Sequence, residues 1–120
     1  MAHTIEDALV WWGREGNWFG FSDPSNKTYA NLIMTSRFHI NGVLQDNPYT
    51  KPTEDEVNAK IAELNLNELR QVRNAKLAET DWWASSDLTM TQAQTDYRQA
   101  LRDITDSATS LDDVTWPTKP

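Results

Sequence analysis

The chain contains no cysteine, which excludes a disulfide framework, a thiol nucleophile and a thiolate metal site while leaving the redox compartment open. It also lacks any apolar run approaching the roughly 20 residues that span a bilayer. The first residues include His3, Glu6 and Asp7 rather than a basic segment before an apolar stretch, so neither a signal peptide nor a membrane anchor is expected. Basic stripes are missing as well. Eighteen acidic side chains against eleven basic ones give a formal charge of −7, which would repel a phosphate backbone, and no nucleic acid or membrane partner is expected. Glycine is scarce, and the glycines at 13, 16 and 20 are followed by strand-like aromatics with no Lys-Ser or Lys-Thr, so no loop cradles a phosphate. His3 and His39 are far apart and show no partner at helical metal-site spacing; no metal and no cofactor are expected.

What the chain has in surplus is tryptophan, six in 120 residues. Charge is unevenly spread: residues 1–53 carry four basic and five acidic side chains, and 54–120 carry seven and thirteen. The chain thus divides into an aromatic-rich N-terminal α/β part, 1–52, and an acidic helical part, 53–120. Thr4 before Ile5-Glu6-Asp7 is a hydroxyl cap with acids in the first turn, and Ile5, Ala8, Leu9 and Trp12 share one face, which predicts a helix over about 5–14. Asn17-Trp18-Phe19-Gly20-Phe21 favours a strand, Ser22 to Asn26 a turn, and about Thr28 to Met34 a second strand pairing back on the first. Asn41-Gly42 marks a hairpin between Arg37-Phe38-His39-Ile40 and Val43-Leu44-Gln45. The expected fold is α+β: a short N-terminal helix and a small antiparallel β-sheet over about 17–45, then a helical hairpin over about 54–107 and an extended C-terminal tail.

Thr53-Glu54-Asp55-Glu56 is a capping box that starts the hairpin's first helix, with Val57, Ile61 and Leu64, then Leu69, Val72 and Ala75, facing inward. Asn65 and Glu68 have capping-box spacing too, so one long helix or two fit equally over 54–79. Asp81 to Asp87 reads as a loop. Thr89-x-x-Gln92 is a third capping box, before a helix lined by Ala93, Tyr97, Ala100, Leu101 and Ile104. Pro117 and Pro120 forbid a further helix, and Trp116 is the expected anchor of an extended strap.

Arg73-Asn74-x-x-Leu77-x-x-x-Asp81-Trp82, then Asp87, Tyr97-Arg98-Gln99-Ala100-Leu101-Arg102-Asp103-Ile104-Thr105 and Trp116-Pro117-x-x-Pro120 resemble the tail assembly chaperone family of bacteriophages. The resemblance covers about residues 70–120. Asp81, Trp82, Tyr97, Arg98, Leu101, Arg102, Asp103, Trp116 and Pro117 carry it as structural motif residues. It implies a part in building the phage tail, or membership of it. The chain departs from the family at Gln94, where a tryptophan is usual, and at Ser110-Leu111-Asp112, where a Phe-Pro pair is usual. Position 94 shares a face with Tyr97 and Leu101, and Trp83 is the residue available to replace the missing indole.

No enzyme is expected. Glu54, Asp55 and Glu56 are explained by the helix macrodipole. Arg98 and Arg102 are explained as scaffold, Arg98 pairing with Asp81 or Asp87 and Arg102 with Asp106. Trp11, Trp12, Trp18, Phe19 and Phe21 fall within eleven residues, so no single periodicity turns all of them inward. One of each adjacent pair, Trp11-Trp12 and Trp82-Trp83, is expected in the core. Trp11, Trp18, Phe21 and Trp83 are the candidate partner-binding residues, because interface anchors are enriched in tryptophan. The resulting expectation is a bacteriophage tail-associated protein that works by protein–protein contact in the host cytoplasm. It would either assist tail or tail-fibre assembly or stay in the virion as a small structural component, and self-association is open to it. The alternative is a glycan-binding module of the tail that stacks sugars on Trp18 and its neighbours.

Overall fold

The structure, a computed structural model, describes residues 3–13 and 18–120. Contacts divide the chain into two compact units, His3–Ile61 and Ala62–Pro120. The division falls inside one helix.

In the first unit, α1 spans Ile5–Trp11. Thr4 caps it reciprocally with Asp7: the Asp7 N–H donates to Thr4 Oγ1 (3.4 Å), and the Thr4 N–H donates to Asp7 Oδ2 (2.9 Å). Ala8 and Leu9 are fully buried. The helix is shorter than expected because Gly13 takes a φ of 78°, a left-handed cap that only glycine adopts cheaply, and its N–H turns back to the Val10 carbonyl. Arg14, Gly16 and Asn17, where the expected helix ended and the first strand began, lie outside the described residues.

β1 (Phe19–Phe21) pairs antiparallel with β2 (Leu32–Met34), Phe19 opposite Met34 and Phe21 opposite Leu32. The second strand starts later than expected, because Tyr29–Asn31 close a 3₁₀ turn in which the Asn31 N–H donates to the Thr28 carbonyl. β3 (Arg37–Ile40) and β4 (Val43–Asp46) form a separate hairpin around Asn41 and Gly42, whose φ values of 52° and 79° give the two-residue turn that matches strand twist. One sheet was expected and two two-stranded sheets are found. At the junction between them, the Asn47 side-chain amide donates to the carbonyls of Thr35 (2.6 Å) and Trp18 (3.1 Å), and the Asn47 N–H donates to the Ser36 carbonyl.

α2 is a single helix, Glu54–Glu79, which resolves the alternative of one helix or two. Asn65 stays inside it. Thr53 Oγ1 accepts the Glu56 N–H (3.1 Å), but its hydroxyl, not its backbone, donates to the Glu56 carboxylate. Residues up to Ile61 belong to the first unit, with Val57 fully buried, and those from Ala62 to the second, with Leu69 fully buried.

In the second unit, Asp81–Ala84 form a 3₁₀ turn where a loop was expected. α3 spans Gln92–Arg102 and α4 Ile104–Ser107. The cap of α3 is Thr91 with Gln94, not Thr89 with Gln92: the Gln94 N–H donates to Thr91 Oγ1 (3.1 Å), and the Thr91 N–H to Gln94 Oε1 (3.0 Å). The two boxes have the same spacing, and the helix that starts at the later one buries Tyr97, Arg98 and Leu101. Arg73 reaches the Arg102 carbonyl (3.4 Å) and Arg98 the Leu77 carbonyl (2.9 Å), so α2 and α3 meet antiparallel as a helical hairpin.

Candidate functional site

The Asp81-Trp82 turn is held from beneath by a buried cation. Arg98, 7% exposed, donates through Nη1 to Thr80 Oγ1 (2.7 Å) and to the Leu77 carbonyl (2.9 Å), and through Nη2 to Asp81 Oδ1 (2.9 Å). Leu77 is in the last turn of α2, so the guanidinium also sits where the helix macrodipole favours positive charge. Thr80, fully buried, accepts from Arg98 and donates its hydroxyl to the Leu77 carbonyl. Only Arg98 Nε is left buried without a hydrogen bond among the described residues.

Next to this clasp, the 3₁₀ turn sends adjacent indoles in different directions, since three residues per turn separate neighbours by about 120°. Trp83 goes inward, 6% exposed, against Tyr97 (ring centroids 6.0 Å apart) and Leu101, with Leu77, Met90 and Trp116 packed around them. Trp82 goes outward, 62% exposed, and touches Trp83 only edge-on, at 6.2 Å between centroids. Trp83 had two expected places, at a partner and in the seam left by the missing indole; within the chain it takes the seam, and the motif residue Trp82 is the exposed one. The physical reason is the phase of the turn, which Arg98 sets by anchoring Thr80 and Asp81. Trp83 thus occupies the seam beside Tyr97 and Leu101, while Gln94 serves as a cap.

The remaining motif residues are structural in place. Tyr97 and Leu101 are core. Asp103 ends α3 and accepts two hydrogen bonds from Gln99 Nε2 (3.0 and 3.1 Å). Arg102 is exposed, and no ion pair joins it to Asp106 among the described residues, because the helix breaks at Asp103 and the i, i+4 geometry is lost. Trp116 and Pro117 are half-buried in the strap, with Lys76 Nζ 5.0 Å from the Trp116 ring. The strap begins at a staple that was not foreseen. Asp113 accepts from the N–H groups of Thr109 (3.0 Å) and Ser110 (2.8 Å) and from the Thr109 hydroxyl (2.8 Å). These bonds, the Thr109 hydroxyl foremost, lower the Asp113 carboxyl below its ordinary value. The Ser110-x-x-Asp113 spacing was the signal available for it.

In the first unit, Trp11 is 57% exposed and carries Lys60 Nζ 3.5 Å from its ring centroid. Trp18 is 6% exposed and packs edge-on against Tyr49, so the Trp18 indole is not the open shelf that sugar stacking requires. Phe21 is half-buried and lines a cavity of about 240 Å³ with Thr4, Ile5, Glu6 and Lys27, where Lys27 and Glu6 pair at 2.6 Å. His3 does have a partner at helical spacing, Asp7 at 3.2 Å, but among the described residues no group of three or more His, Asp or Glu could hold a metal ion. Of the four candidate partner-binding residues, therefore, Trp11 is on display, Phe21 partly so, and Trp18 and Trp83 are inside. Among the described residues, Trp82, Val43, Leu44, Ile33, Val10 and Leu88 are further large apolar side chains that are exposed. Among the described residues, no helix is long and apolar enough to cross a membrane.

The second unit is thus a clasped helical hairpin that turns one indole outward. Residues 66–120, the C-terminal part of the chain, match the family model of the phage tail assembly chaperone protein, so the resemblance carried by the Asp-Trp, Tyr-Arg and Trp-Pro motifs holds. The match supports a role in phage tail assembly, and the family is an assembly factor rather than a known class of enzyme. No curated protein and no solved structure gives a match.

Proposed function

We propose that this chain assists phage tail assembly by binding a tail or tail-fibre protein in the host cytoplasm, and that Trp82, with Leu88 beside its turn, is the anchor of that contact. The observation that carries the reading is the 62% exposure of Trp82 inside the family-matched segment, on a turn braced by a buried arginine. A rigid indole held outward loses little conformational entropy on binding, which is why tryptophan serves as an interface anchor. Covering an apolar surface of a tail subunit would keep that subunit from aggregating, while the −7 charge keeps the pair soluble.

The test is co-expression with each tail and tail-fibre protein of the same phage, followed by co-purification. The wild-type chain is expected to hold one of them in the soluble fraction, and Trp82→Ala to release it with α-helical content unchanged. Equal retention by Trp82→Ala would overturn the assignment of the anchor. Mass spectrometry of purified virions then separates a released assembly factor, which leaves no peptides, from a component that stays in the particle at fixed stoichiometry.

A further inference from the structure

Residues 114–120, the strap that follows the Asp113 staple, lie on the second unit without a hydrogen bond to it among the described residues. Pro117 and Pro120 supply no N–H, and the residue before a proline is confined to extended backbone, so Trp116 and Lys119 are pre-set in the strap's conformation. Side chains hold it instead. Val114, Trp116 and Pro117 are half-buried, while Thr115, Thr118, Lys119 and Pro120 are exposed. A segment that breaks no hydrogen-bond ladder on leaving belongs to the readily opened end of a structure.

The strap covers the aromatic core of the hairpin. Trp116 packs against the cluster of Trp83, Tyr97 and Leu101, as do the half-buried Leu77 and Met90. Lys76 Nζ stands 5.0 Å from the Trp116 ring, and the strap's own Lys119 Nζ stands 6.0 Å from the Trp83 ring. Trp83 in turn meets the exposed Trp82 edge-on, at 6.2 Å between centroids. The covered aromatic surface is therefore continuous with the exposed indole, and lifting the strap joins Trp82, Trp83 and Tyr97 into one face. What this seat accepts is visible in its occupant: an extended backbone without a ladder, and a large aromatic ring set among apolar side chains within reach of a lysine.

We propose that the strap is a built-in occupant of a second binding surface, and that an extended, aromatic-bearing segment of the tail-protein client replaces Trp116 there once the client is held at Trp82. The proposal rests on the reading of Trp82 as the client's anchor and adds the regulation of that site. Free chains keep the face around Trp83 covered, which limits their exposed apolar surface. A tethered strap competes at an effective concentration on the order of millimolar, so only a segment already held through Trp82 displaces it.

The probe that tests this is a fluorescent peptide of residues 109–120, titrated by anisotropy into the full-length protein. Wild type keeps its seat occupied and Trp116→Ala leaves it open, so the peptide is expected to bind the variant at least about tenfold more tightly. A peptide carrying Trp116→Ala itself is expected to bind neither chain. Circular dichroism checks that the variant chain keeps its helices; if it does not, Trp116→Leu takes its place with the same ordering. Equal binding to both chains, no binding to the variant, or binding that survives loss of the peptide's tryptophan overturns the proposal. A co-purified client added to the peptide-loaded variant is expected to release the peptide. A client retained through Trp82 with the peptide still bound overturns the shared seat and leaves the anchor in place, whereas failure of co-purification strikes the Trp82 reading and the client's role with it.

Discussion

Arg98 carries a full charge almost entirely out of water, and it is stable there because three acceptors meet its terminal nitrogens. Removing one member of a buried charged network leaves the rest unpaired, so Arg98→Ala is expected to lower stability by about 3 kcal/mol in urea denaturation, and Asp81→Asn, whose side chain is 67% exposed, by about 1 kcal/mol. The adjacent indoles give an opposite pair of outcomes. Trp83→Ala opens a core cavity and is expected to cost about 3–5 kcal/mol, whereas Trp82→Ala is expected to stay within about 0.5 kcal/mol by the same assay. Asp113 acts through pH. Its folded-state carboxyl is lowered, so its staple is fully formed above the ordinary value of 3.8 and is lost as pH falls through the lower folded value. The Thr109 and Ser110 amide resonances are expected to shift together over that acid range, and Asp113→Asn to abolish the transition. The presence of one core and one surface residue in Trp82-Trp83 was legible in the sequence. Which was which was not, because Arg98, the residue that sets the turn, is fifteen positions away from Trp83.

At the scale of elements, local chemistry was the better guide wherever a short-range bond decides the outcome. Thr4 with Asp7 starts α1, and Asn41-Gly42 closes the β3–β4 hairpin, both at the expected positions. At Gly42 no atom lies within 4 Å of where a Cβ would stand, so Gly42→Ala meets only backbone strain at φ 79°. It is expected to destabilise the hairpin by about 1 kcal/mol, read as weakened cross-strand contacts between Arg37 and Asp46 by nuclear magnetic resonance. Where two local signals compete, spacing alone does not choose. Of the two boxes, the one at Thr91 forms both of its hydrogen bonds with Gln94, and Asn65 remains inside α2. Asn47 ties the junction of the two small sheets through a single amide whose partners lie 12 and 29 residues away.

At the scale of the whole molecule, two compact units share one helix. Leu9 lies in the first and Leu101 in the second, both fully buried. Leu9→Ala and Leu101→Ala are each expected to cost about 2–5 kcal/mol in their own unit. Hydrogen exchange is expected to show faster amide exchange mainly in His3–Ile61 for the first variant and in Ala62–Pro120 for the second. Composition, charge asymmetry, capping motifs and the family-like succession of Asp-Trp, Tyr-Arg and Trp-Pro determined the α+β class, most helix and turn positions and the tail-assembly reading. All of these are read over a few neighbouring residues or over the chain as a sum. Tertiary structure alone decided that α2 is continuous, that the strands divide into two sheets, and that Trp82 faces outward while Trp18 and Trp83 do not. Each of those outcomes depends on partners far apart in sequence, and burial of an indole is a property of what surrounds it, not of the residue that bears it.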